Sequence, residues 1–225
     1  NTVSSTVACQ ESTIYALVFP NAPSLTAIAN TCNTKLADIT AVTPVSGLTA
    51  EYAVQAPGAA LSSYSDLATA NGLLTNTPGC WTIKARYKLT AACGGTAANA
   101  TSGTLACQET TINAVVFPAA PTITSLSNTC NAALADITAV APVTGFTAEY
   151  AVQPPGGSLT SWGTLSAANT ETNNTPGCWT IKARYKLSAN CGGTLINSIS
   201  SEVACQESTI NAVVFPPAPT MTALA

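Results

Sequence analysis

Hydrophobic and polar positions alternate along the segment Cys80-Trp-Thr-Ile-Lys-Ala-Arg-Tyr-Lys-Leu89. Trp81, Ile83, Ala85, Tyr87 and Leu89 fall on one side, and Thr82, Lys84, Arg86 and Lys88 on the other. A period of two with one apolar side predicts a half-buried antiparallel strand. Leu48 to Gln55 alternates as well, placing Tyr52 and Val54 inward and Glu51 outward. The run from Cys107 ends in Ile112-Asn-Ala-Val-Val-Phe117, which is rich in strand formers. Turn formers separate these runs at Pro44, Ser46-Gly47, Ala56-Pro57-Gly58, Thr77-Pro78-Gly79 and Gly94-Gly95. No stretch carries a sustained helical stripe, and Thr-rich, Pro-punctuated text disfavours helices.

The same pattern returns with a fixed period. Cys9, Cys107 and Cys205 stand 98 residues apart, within ACQESTIYALVFP, ACQETTINAVVFP and ACQESTINAVVFP. The same shift carries Cys32 to Cys130, Cys80 to Cys178 and Cys93 to Cys191. Roughly 60% of positions match between the copies, which predicts one fold for each. Complete repeats are expected at 21–118 and 119–216, with 1–20 ending a preceding repeat and 217–225 starting a following one. The chain thus reads as a window on a longer array. About seven short strands per repeat, with turns every ten or so residues, predict an all-β fold of tandem Ig-like β-sandwiches. The joins Phe19-Pro-Asn-Ala-Pro23, Phe117-Pro-Ala-Ala-Pro121 and Phe215-Pro-Pro-Ala-Pro219 predict semi-rigid spacers. Phe117 either packs at the junction or closes the core of its own repeat.

Composition narrows the function. Charged residues make up 8% of the chain and hydrophobic ones 47%, which argues against disorder. A net charge of −3 selects no nucleic acid. No apolar run reaches the roughly 20 residues of a membrane helix, so no membrane insertion is expected within this stretch. No export signal is visible. Nine cysteines without histidine, and without a CxxC pair, make a zinc site a poor reading. Four cysteines per repeat predict two disulfides each and an oxidising, secreted setting. The ninth, Cys9, would belong to a preceding repeat, with its partner 14 positions upstream. Four cysteines allow three pairings. The favoured one joins Cys32 to Cys80 and Cys93 to Cys107, and correspondingly Cys130 to Cys178 and Cys191 to Cys205. Each bond would contribute roughly 3–4 kcal/mol on a chain-entropy account.

Lys84, Arg86 and Lys88 form a basic stripe that recurs as Lys182, Arg184 and Lys186. It reads either as a patch for acidic glycan or, preferably, as a solvated face paired with Glu51 and Glu109 on neighbouring strands. Asp38, Glu51 and Glu109, recurring as Asp136, Glu149 and Glu207, are too scattered for calcium, so no metal is expected. The absence of histidine excludes Ser-His and Cys-His nucleophiles within this stretch, and neither catalysis nor a cofactor is expected. Two glycosylation patterns, at Asn99 and Asn173, fall at non-equivalent positions and read as chance.

The combination GCWTIKARYKL, a cysteine followed by GGT, then ACQ and VVFPAAP, resembles Ig-like repeats of very large Bacteroidota surface proteins. Those proteins are exported by the type IX secretion system, and some are adhesins, including the gliding-motility adhesin. The resemblance covers the whole chain. It implies a segment of an extracellular filament attached at the outer membrane. Its partners would be neighbouring repeats and extracellular polysaccharide or a solid surface, and no catalytic residues carry over. Two other readings stay open. Each repeat could be a weak glycan-binding module acting by multivalency, or the chain could be a fimbrial subunit polymerised by strand exchange.

Overall fold

The structure is a computed structural model that describes residues 18–90, 108–189, 191 and 207–221. It is mostly β, with two four-stranded sheets and two short helices among the described residues. The first sheet contains β1 (Thr31–Cys32), β2 (Leu48–Gln55), β3 (Gly79–Leu89) and β4 (Glu109–Phe117), in the order β1-β4-β3-β2. The second contains β5 (Thr129–Cys130), β6 (Phe146–Gln153), β7 (Gly177–Leu187) and β8 (Glu207–Phe215), in the order β5-β8-β7-β6. The long strands pair antiparallel with one register in both: Tyr52 opposite Ala85 becomes Tyr150 opposite Ala183. The two-residue strands β1 and β5 run parallel to the ends of β4 and β8.

Strand β3 alternates as its sequence predicts. Trp81, Ile83, Ala85 and Tyr87 are buried, while Thr82, Lys84 and Arg86 line the other face. Tyr52 and Val54 of β2 and Ala114 and Val116 of β4 complete that face of the first core. Among the described residues, the layer opposite the sheet is not a second sheet. It is the irregular segment 33–46, which inserts Leu36, Ile39 and Val42, together with helix α1 (Leu67–Leu73), which inserts Ala70. Side chains satisfy backbone groups that a ladder would otherwise pair. The Ile39 N–H donates to Asn71 Oδ1 at 2.7 Å, the Val42 N–H donates to Tyr52 Oη at 2.9 Å, and Tyr87 Oη donates to the Thr43 carbonyl at 2.7 Å. The second repeat reproduces all three through Asn169, Tyr150 and Tyr185.

Two expectations are corrected. Four strands per repeat, rather than about seven, are present among the described residues, because segment 33–46 packs through apolar side chains three apart and makes no ladder. Helices are also present where none is expected: α1 and its counterpart α2 (Leu165–Glu171). Each begins at a capping side chain, Asp66 accepting from the Thr69 N–H and Thr164 from the Ala167 N–H. Seven residues are too few to display an apolar stripe, so docking against the core, rather than propensity, holds these turns.

Candidate functional site

The two repeats meet in a joint built by the parity of β3 and β4. Trp81 points into the first core, so its neighbour Cys80 points out. Cys80 lies in register with Val115 of β4. Along β4, Ala114 and Val116 face the first core while Val115 and Phe117 face the second. All four are fully buried, since the second repeat covers the outer side. The Phe117 ring lies 5.7 Å from that of Phe146, which lies 6.5 Å from Tyr185 in an edge-on arrangement. Such pairs add about 0.5–1.5 kcal/mol beyond area burial. Phe117 therefore packs at the junction.

A disulfide closes the joint. Cys80 is bonded to Cys191, with Cα atoms 5.5 Å apart and a separation of 111 positions in sequence. The pairings Cys32–Cys80 and Cys191–Cys205 are thereby corrected. Cys80 sits on the outer face and cannot reach an early strand through its own core. Cys32 is disulfide-bonded, but not to Cys80. The expected bond Cys130–Cys178 is absent: both are exposed free thiols. The pair Cys93–Cys107, and also Cys9 and Cys205, lie outside the described residues. Beside the disulfide is a cleft of about 350 Å³ between Pro57, Gly79 and Cys80 of the first repeat and Gly145 and Leu187 of the second. Gly79, with φ of 134°, lies so close to Pro57 that a Cβ there would stand 2.5 Å from the proline ring. The close approach requires glycine at this edge.

The basic stripe is brought together on the opposite face of each sheet from the core. Arg86 donates through Nε and Nη2 to Glu51 Oε2 at 3.1 and 3.0 Å, and Lys88 lies 3.2 Å from the other oxygen of Glu51. Lys84 pairs with Glu109, which also accepts from Tyr64 Oη. The Arg86 guanidinium sits 3.6 Å above the centre of the Tyr64 ring. In the second repeat Arg184 and Lys186 meet Glu149, Lys182 meets Glu207, and Arg184 stacks on Trp162 at 4.1 Å. Each face thus sets three cations against two carboxylates. Neither aromatic is marked by the strand alternation, because both lie between the sheet's long strands in sequence and fold back over the stripe.

Burial alone would raise the Glu109 carboxyl. Hydrogen bonds from Lys84 and Tyr64, and the charges of Lys84 and Arg86, outweigh it and hold the group below its ordinary value. Burial, then the hydrogen bond to Glu109, pushes the Tyr64 phenol up, so it stays protonated and keeps donating. Because the folded pKa of Glu109 is depressed, its contribution is present above the ordinary glutamate range and is lost as pH falls through the folded value. Glu109→Gln should cost at most about 1 kcal/mol at neutral pH, given partial exposure. The difference from the parent should vanish near pH 2, as denaturant unfolding at the two pH values would measure. An equal cost at both would remove the ionic account.

The chain matches no protein-family model and no curated protein. Among the described residues, no helix is long and apolar enough to cross a membrane, which leaves β-barrels unaddressed. Among them too, no group of three or more His, Cys, Asp or Glu residues is placed to hold a metal ion.

Proposed function

We propose that the chain is a structural and adhesive segment of a long bacterial cell-surface filament, built from tandem Ig-like repeats and serving as a stalk. The observation that carries this reading is the joint. A covalent bond between two repeats, backed by Phe117 buried in the core of the next one, resists bending and pulling where a spacer is weakest. The close likeness of the copies suits repeated mechanics better than a unique binding site, and the resemblance to repeats of type IX-exported adhesins supplies the extracellular setting. Such a segment performs no chemistry of its own.

A glycan-binding role for each repeat is the second reading. It draws on Lys88 and Lys186, whose side chains are about half exposed next to the Arg–aromatic stacks. The full chain and a variant carrying Lys84→Gln, Lys88→Gln, Lys182→Gln and Lys186→Gln separate the two on a column of immobilised acidic polysaccharide at low salt. The stalk reading expects both to elute unretained. Retention of the parent and its loss in the variant would transfer the role to the basic face.

A further inference from the structure

The two repeats present the same outward face, and among the described residues only the first of these faces is covered. Thr77-Pro78-Gly79-Cys80 and Val115 and Phe117 recur as Thr175-Pro176-Gly177-Cys178 and Val213 and Phe215. On the first repeat Phe117 is 0% exposed and Cys80 is bonded; on the second Phe215 is 52% exposed and Cys178 is an exposed thiol. Val115 is buried and Val213 only partly so. Two copies of one text therefore differ in environment because the second repeat covers the first face, while nothing among the described residues covers the second.

We infer that the face formed by Cys178, Val213 and Phe215 is the docking site for a further copy of the same repeat, sealed by a disulfide from Cys178 to that copy's counterpart of Cys191. The existing joint is head-to-tail: the tail of one repeat meets a different surface, the head of the next. An interface of that kind leaves one tail open at every stage and propagates without closing. The occupant is in the same chain, because the ring that seals the joint leads straight into the repeat it packs against. Phe117 does so through Pro118 to Pro121, and Phe19 likewise packs on the core of the repeat that follows it. Phe215-Pro216-Pro217-Ala218-Pro219 repeats that lead.

The bond forms by oxidation of two thiols. With oxidised glutathione as oxidant, Cys178 and the incoming cysteine lose two protons and two electrons, one sulfur–sulfur bond forms, and two glutathione thiols are released. The inference goes beyond the stalk reading. Its test reads only cysteine pairing and local stability, so its failure would leave the column experiment to decide the filament role.

The experiment uses the full chain lengthened at its C-terminus by a second copy of residues 128–216, which completes a third repeat. After refolding in a glutathione buffer, peptide mapping without reduction should find Cys178 joined to the added counterpart of Cys191. Alkylation of Cys178 by N-ethylmaleimide should fall at least tenfold relative to the 225-residue chain. Phe215→Ala should lower the melting temperature of the third repeat in the lengthened chain. A Cys178 that stays fully alkylatable, or pairs with Cys130, would overturn the inference. So would a Cys178 that links two separate chains, which would make the occupant a second molecule.

Discussion

Breaking the Cys80–Cys191 bond should lengthen the fully stretched chain by about 370–400 Å. The bond bridges 111 residues, and an extended residue spans about 3.3–3.6 Å. While it is intact, tension applied at the two ends enters at Cys80, crosses the sulfurs and leaves at Cys191. Most of β3, all of β4, the proline-rich join and β5 to β7 then carry no load, whatever the sheets themselves withstand. A loop of this length also contributes about 5 kcal/mol on the chain-entropy account. Single-molecule pulling of the native chain and of Cys80→Ser/Cys191→Ser reads the effect. Without reductant, only the double variant should show the extra length. With reductant, which opens the bond at Cys32 in both chains as well, the native chain and the double variant should reach the same full length. Equal extensions of the two chains without reductant would dispose of the load-bypass account.

The bypass was only half legible in the sequence. Alternation through Trp81, Ile83, Ala85 and Tyr87 placed the core face of β3 correctly, and the outward Lys84, Arg86 and Lys88 do meet Glu51 and Glu109. The same alternation already implied that Cys80 points away from Trp81, and this was the available signal against a bond from Cys80 through its own core. The correct partner stayed hidden for a different reason. In a text of period 98, the separations 80–93 and 80–191 differ by one whole period, so spacing cannot distinguish a bond within a repeat from one to the next. The irregular layer over the sheet was illegible on other grounds. Leu36, Ile39 and Val42 pack without a ladder, and the Ile39 and Val42 N–H groups and the Thr43 carbonyl are satisfied by Asn71, Tyr52 and Tyr87, which lie 10 to 44 positions away in sequence. Neither propensity nor period marks such a segment. The aromatic lids Tyr64 and Trp162 precede short capped helices, where two turns are too few for a stripe.

Phe117→Ala should destabilise the chain by about 3–5 kcal/mol, and Phe215→Ala by no more than about 0.5 kcal/mol. The two residues share their flanking text, so helix and strand propensity, turn chemistry and unfolded-state terms nearly cancel in the comparison. What differs is burial, 0% against 52%. Truncating a buried ring loses its transfer energy and leaves a cavity that the surrounding core fills only in part. The cavity would open against Phe146, whose ring also braces Tyr185. The location of the loss matters more than its size. Phe117 stands at the end of the first repeat's strand, yet its ring belongs to the core of Trp179 and Ile181. Hydrogen exchange read peptide by peptide should therefore show faster opening around Tyr150 and Trp179, with the peptides around Trp81 and Ile83 retaining their protection. The reverse pattern would mean that Phe117 closes its own repeat, and the joint would then rest on the disulfide and Val115 alone. A loss confined to the second repeat would establish that it depends for stability on the first.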